Sequence, residues 1–216
     1  MSKEIQGTFS LDYPMMQEKE VECIKNILQE HPSNFLSILE WGSGGSTIYF
    51  PRFLRLLQRK YKWTSIEYNR AWYARVSKLV ADDPHTEVVL IDVGNLETKQ
   101  RDNAMNDYVA YPYTQKEKYD VILVDGRKRR RCILAARDLL SSNGVVLLHD
   151  AQRRYYHCAF KEFPDSRMIT QHLWRGKLSH PPIWLRMVNT LYYWWFYLVT
   201  TVKSQFSRAK KLFKVS

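Results

Sequence analysis

Three cysteines in 216 residues, Cys23, Cys132 and Cys158, are too few and too scattered for a disulfide scaffold. No C-x-x-C pair or other metal-ligand spacing occurs, so a zinc finger or ribbon is excluded and a reducing compartment is expected. Nor does the segment Met1 to Asp12 hold the apolar core of a secretory signal peptide, and a cytoplasmic location follows as the expectation. Acidic residues are scarce at the C-terminal end: from Asp165 to Ser216 there are nine Lys or Arg and a single acid. Of the net charge of +11, only +3 then belongs to the first 164 residues, so a nearly balanced body precedes a strongly basic tail. With 45% hydrophobic and 14% aromatic residues, the chain has the composition of a globular protein and enough length to bury a core.

The stretch Ser37 to Thr47, SILEWGSGGST, carries the strongest local signal. The apolar run Phe35 to Leu39 predicts a buried strand. Glu40 ends it, Gly42, Gly44 and Gly45 follow, and Ser46 and Thr47 are candidate caps for a helix starting near Ile48. A strand, a glycine turn and a helix start let backbone approach a ligand closely, because glycine has no Cβ in the way. The dinucleotide fingerprint G-x-G-x-x-G requires glycine at position 47, which is Thr47. What stands here is acid-x-Gly-x-Gly, which resembles the first motif of class I S-adenosylmethionine (SAM) methyltransferases. A carboxylate suits the cationic ammonium and sulfonium of SAM better than it suits a diphosphate. The resemblance implies a Rossmann-like α/β fold, doubly wound on a mostly parallel sheet, with Glu40, Gly42, Ser43, Gly44, Gly45, Ser46 and Thr47 around the cofactor.

The rest of the chain is read against that expectation. Residues 15–30 have helical periodicity through Val21, Ile24, Ile27 and Leu28, between Pro14 and Pro32. Tyr13 and Met16, at its start, could line a pocket or simply pack. A second strand over 62–66 ends at Glu67, more than about 20 residues beyond the glycines, where an acid can bind ribose hydroxyls. A third strand over 87–91 ends at Asp92, which by position either meets an adenine edge or serves as a turn aspartate before Gly94. Residues 93–117 are polar and spotted with Tyr108, Tyr111 and Tyr113, and are expected to form a lid over the acceptor site. A fourth strand over 119–124 ends in Asp125-Gly126-Arg127, and a fifth over 145–148 ends in His149-Asp150. Five strand ends thus carry Glu40, Glu67, Asp92, Asp125 and His149-Asp150, where ligands of a doubly wound sheet bind.

Two stretches speak for the acceptor: DGRKRRR at 125–131 and HDAQRRY at 149–155. Adjacent strand ends bring Asp125, His149 and Asp150 together, with two roles open. One of them removes a hydroxyl proton as a general base; alternatively Asp125 and Asp150 hold magnesium or manganese, which lowers the hydroxyl pKa. Arg127 and Arg153 stand beside strand-end acids, and guanidinium forks recognise carboxylate or phosphate, so an anionic acceptor is expected. Arg130 and Arg131 read as a solvated helix face. Strand-Asp-Gly with a basic helix after it, followed by strand-His-Asp-x-x-Arg, is similar to glucuronoxylan 4-O-methyltransferases of plants and their bacterial relatives. The similarity covers roughly residues 35–163 through Glu40, Gly42, Gly44, Asp125, Gly126, His149, Asp150 and Arg153. It implies methylation of a uronic acid in a polysaccharide, with one departure: Arg127 stands where the plant pattern has proline.

From Pro181-Pro182 the chain reads as one amphipathic helix, so a methyltransferase domain over 1–180 and a basic, aromatic helix over 181–216 are expected. Trp184, Val188, Leu191, Trp195, Leu198, Val202, Phe206 and Phe213 form its apolar stripe. Met187 to Val202 is uncharged over 16 residues, short of the span of about 20 needed to cross a membrane. Clustered Trp and Tyr with lysines from Lys203 to Lys214 fit a membrane surface, and packing on protein is the alternative. The expected function is SAM-dependent O-methylation of a sugar hydroxyl in a glycan or glycolipid at the inner face of a membrane. The rivals are an RNA methyltransferase, whose basic residues would meet phosphate, and a non-catalytic adaptor that keeps the fold. No nucleic-acid recognition module is seen.

Overall fold

A computed structural model describes residues 11–94 and 98–180 together with position 191. The expected helix over 181–216, and with it the proposed domain boundary, lies outside the described residues except for position 191.

Seven strands form one sheet in the order β3-β2-β1-β4-β5-β7-β6. Strand β1 (Phe35–Trp41) pairs in parallel with β2 (Lys60–Glu67) on one side and β4 (Tyr119–Val124) on the other. β3 (Thr86–Leu90) lies beyond β2, and β5 (Leu140–Leu148) continues in parallel beyond β4. The crossovers are made by α2 (Gly45–Leu56), α3 (Arg70–Leu79), α4 (Thr98–Thr114) and α5 (Arg129–Leu139), while α1 (Glu18–Glu30) precedes the sheet. The order therefore reverses between β1 and β4, the crevice where open α/β sheets bind ligands. This is the Rossmann-like, mostly parallel architecture that the motif implied.

The central strands read as near-continuous apolar runs because both faces are covered. Leu39, Trp41, Ile122, Val124, Val146 and Leu148 pack under α4 and α5. Leu36, Ile38, Val121, Leu123, Val145 and Leu147 pack under Val21, Ile24 and Leu28 of α1 and Phe50 and Leu54 of α2. Alternate residues of one strand thus feed two separate cores, with the period of two that a pleated strand dictates.

Three expectations are corrected. The segment 93–117 is no lid: from Thr98 it is α4, with Met105, Tyr108 and Val109 buried on the spacing of one helix face. The indole of Trp41 fixes it by donating to the Tyr108 carbonyl at 3.0 Å. Strand β1 runs two residues past Leu39, so Glu40 sits inside the sheet rather than at its end. Finally, a hairpin of β6 (Asp165–Met168) and β7 (Trp174–Lys177) adds two antiparallel strands beside β5. Strands of four residues interrupted by Arg and Asp give little alternation to read.

Candidate active site

The glycine turn after β1 meets the end of β4 across the reversal point. Gly42 has φ +100°, its N–H donates to the Ile66 carbonyl at 2.9 Å, and a Cβ there would stand 2.5 Å from the Cα of Gly126. Glycine is required on both counts, since neither backbone can move aside cheaply. Helix α2 starts earlier than expected, at Gly45, so Ser46 and Thr47 lie in its first turn rather than capping a helix at Ile48. Their hydroxyls turn inward to Glu40.

Glu40 is wholly buried and takes hydrogen bonds from Ser46 Oγ, Ser65 Oγ, Thr47 Oγ1 at 2.7 Å and Trp63 Nε1 at 2.9 Å. Burial pushes its carboxyl up to about 7, with the bonds from Ser46, Ser65, Thr47 and Trp63 pulling the other way. The expectation that Glu40 contacts a cationic ligand is corrected: its position inside β1 directs it under the turn, where it ties α2 to β1 and β2. Thr47, fully buried with it, is likewise a strut, and its Oγ1 accepts from the Gly44 N–H at 2.9 Å.

Glu67, at the end of β2, faces the turn. Its Oε2 accepts from Ser43 N–H at 3.1 Å and Ser43 Oγ at 3.0 Å, and its Oε1 from the Tyr68 and Asn69 N–H groups, both at 2.9 Å. A cavity of about 730 Å³ opens here, lined by Gly42, Ser43, Gly44, Gly45 and Ser46, then Glu67, Tyr68, Asn69 and Trp72. Its far wall is Asp125, Gly126, Arg127, Arg129 and Arg153, and Leu11 and Met15 of the N-terminal segment also line it. That is the size range of small-ligand and cofactor sites. Neither Tyr13 nor Met16 lines this cavity. Asp92 is not part of the wall: it accepts from Arg70 Nε at 2.8 Å and from the Gly94 N–H at 2.9 Å, the turn role left open for it.

At the far wall Asp125 and His149 meet as expected, with 2.9 Å between Asp125 Oδ1 and His149 Nδ1. The other ring nitrogen, Nε2, is 3.4 Å from Glu20 Oε2, a buried carboxylate of α1. Burial alone would push the imidazole pKa down, but the Asp125 hydrogen bond and the charges of Asp125, Asp150 and Glu20 outweigh it and raise the value above 6.5. Carboxylates near both nitrogens favour the charged ring, which suits His149 to donating rather than to taking a proton as a general base. Asp150 has φ +59°. Burial raises its pKa, yet His149, Arg129 and Arg153 together hold the carboxyl below the ordinary 3.8.

Arg129, which reading the sequence left out, sits at the centre of this group. Nε donates to the Gly126 carbonyl at 2.9 Å, Nη1 to the His149 carbonyl at 2.7 Å and Nη2 to the Asp125 carbonyl at 2.7 Å. The same fork lies 2.9 Å from Asp125 Oδ1 and 3.3 Å from Asp150 Oδ2. A guanidinium therefore stands between the two aspartates expected to share a divalent cation. Among the described residues no group of three His, Cys, Asp or Glu could hold a metal. The donor set does not fit magnesium or manganese. The sequence signal for Arg129 was present, four residues after Asp125 on a helix, but a run of basic residues does not say which one turns inward.

Arg153 pairs with Asp150 at 2.8 Å. Arg127 donates to the Tyr68 hydroxyl at 3.2 Å and stands over its ring, 5.8 Å from the centroid. Both line the cavity, so the far wall is an acid at the bottom of a cationic rim.

No protein-family model and no curated protein matches the sequence. Solved structures do. A methyltransferase-like protein from Silicibacter pomeroyi DSS-3 is 25% identical, with a TM-score of 0.59 over 83% of this chain and 96% of its own. A precorrin-6y C5,15-methyltransferase from Geobacter metallireducens GS-15 is 13% identical, with a TM-score of 0.50 over 79% of this chain and 94% of its own. The methyltransferase MycE from the mycinamycin biosynthetic pathway, solved with Mg, S-adenosylhomocysteine (SAH) and mycinamycin VI, is 10% identical. Its TM-score is 0.50, over 80% of this chain and 52% of that one. The fold is that of class I SAM-dependent methyltransferases.

Proposed function

We propose that this class I methyltransferase moves a methyl group from SAM to a hydroxyl of a sugar in an anionic glycan or glycolipid, as the likeness to the glucuronoxylan enzymes first suggested. The observation that carries the reading is the single cavity wall-to-wall between the Gly42–Ser46 turn with Glu67 and the Asp125–Arg127–Arg153 group. Ser43, Gly44, Glu67 and Trp72 would hold the cofactor. A ribose hydroxyl approaching Glu67 Oε2 would take the place of the Ser43 hydroxyl, the one side-chain donor among the four groups on that carboxylate. When bound, SAM supplies an electrophilic methyl group on sulfur.

The chain's own residues supply the rest. Asp125 accepts the hydroxyl proton through its carboxylate as the new C–O bond forms and the S–C bond breaks. His149 and Arg129 both engage Oδ1, so Oδ2 is the oxygen that would meet the acceptor hydroxyl. Arg127 and Arg153 orient a carboxylate or phosphate of the acceptor by paired N–H donation. The acid is then placed beside the hydroxyl to be methylated, a gain in proximity rather than in chemistry.

The test is transfer of radiolabelled methyl from SAM to acidic oligosaccharides, with neutral oligosaccharides and structured RNA as controls. Label on the acidic sugars and loss of it in Asp125→Asn supports the reading. Label confined to RNA overturns it. Attachment to an anionic membrane surface through residues 183–216 belongs to the same proposal and rests on their sequence pattern; no helix among the described residues is long and apolar enough to cross a membrane. Co-sedimentation with vesicles containing phosphatidylserine, lost at high salt, is expected, and a chain that stays in solution refutes it.

A further inference from the structure

Helix α1 brings an unexpected acid to the active site. Glu20 is completely buried, in a helix that lies over the sheet face opposite α4 and α5. Its Oε2 accepts from the Gln17 N–H at 2.9 Å and its Oε1 from Thr170 Oγ1 at 3.1 Å. Both donors are neutral: the first is the cap of α1, ordinarily a surface device, and the second comes from the turn between β6 and β7. A fully buried carboxylate costs much more than they return unless a cation faces it. The cation is His149, 3.4 Å from Oε2.

We propose that Glu20 is a positioning residue of the active site: its carboxylate holds the ring of His149, whose other nitrogen is bonded to Asp125 at 2.9 Å. The chain Glu20, His149, Asp125 spans three elements, and only Asp125 opens on the cavity. Five charged groups bear on the ring. Asp125 meets Nδ1, Glu20 meets Nε2, and Asp150 follows in sequence. Arg129 binds the His149 carbonyl, and Arg153 stands beyond, on Asp150. With carboxylates at both nitrogens, the doubly protonated imidazole satisfies each of them, whereas a neutral ring would turn a lone pair on one. Glu20 thereby fixes the orientation of His149 and keeps Oδ1 of Asp125 occupied, leaving Oδ2 for the acceptor. This assignment rests on the proposed role of Asp125 in proton removal.

The separating substitution is Glu20→Gln. Glutamine at the third helical position retains the capping interaction through its oxygen and can turn its amide N–H to the Thr170 hydroxyl, so the helix start survives while the charge facing His149 is lost. The full chain is labelled with nitrogen-15 histidine, and the His149 signals are assigned by their loss in His149→Asn. At pH 7 the wild-type ring should show both nitrogens protonated, and Glu20→Gln should shift Nε2 and admit a neutral tautomer. Turnover should fall roughly tenfold to a hundredfold, as when an orienting partner is removed, with KM and SAH affinity within about twofold. Unchanged His149 signals overturn the proposal, as does a loss of SAH affinity and melting temperature that accounts for the whole effect. Shifted His149 signals in a protein that methylates no sugar would uphold the positioning role and sink the proposed function instead.

Discussion

Arg129→Gln tests most of the site through one side chain. Arg129 is 13% exposed, donates to three backbone carbonyls at the ends of β4 and β5, and forms ion pairs with Asp125 and Asp150. Glutamine keeps part of the length and loses the fork. Asp125 and Asp150 then face each other without the cation between them. Removing one partner of a buried charge pair costs about 3–5 kcal/mol. The aspartates are 24% and 27% exposed, so water offsets some of this loss. A cost of roughly 2–4 kcal/mol remains, set between the exposed and buried cases. For a chain of this size each kcal/mol lowers Tm by about 2–4 °C, so a fall of roughly 4–16 °C is expected by circular dichroism. Urea unfolding should show a lower midpoint with an unchanged slope. Arg129→Lys restores the charge but cannot place donors on three carbonyls at once, so it should recover only part of the loss. A Tm within about 2 °C of wild type for Arg129→Gln would refute the reasoning, and complete rescue by lysine would show that the fork geometry is irrelevant.

Gly42→Ala puts a methyl group 2.5 Å from the Gly126 Cα at φ +100°, so SAH binding measured by calorimetry should weaken at least tenfold; retained affinity would mean that the turn adapts. Asp125→Asn, near isosteric, should leave SAH affinity intact while turnover falls by about two orders of magnitude, and normal turnover would remove Asp125 from proton transfer. Glu40 has a folded-state pKa near 7 against an ordinary 4.5, so its proton is held more tightly when folded. Stability should therefore fall as pH rises from about 4.5 to about 7 and then level off, and Glu40→Gln should flatten that slope in urea midpoints taken across the series. His149 is raised as well, so its contribution is complete below pH 6.5 and is lost as pH climbs through the higher folded value; His149→Gln should abolish that loss on the alkaline side.

The residues that form the sheet and the turn were legible because their signals are local. Ile38, Leu39, Val121 to Val124 and Val145 to Leu148 are continuous apolar runs, and only a strand covered on both faces calls for them. The glycines after β1 and the acids that end β2 and β4 follow from strand length and spacing alone. What sequence could not decide was direction. Glu40 looked like a ligand contact, but two more residues of strand put its carboxylate beneath the turn, among hydroxyls that only the folded chain assembles. Arg129 was one of several consecutive basic residues, and the start of α5 singled it out by turning it toward two strand ends. Glu20 was a capping acid on a helix more than a hundred residues before His149 in the chain. A contact of that separation leaves no periodicity in the sequence, because it is created only when α1 packs across the sheet.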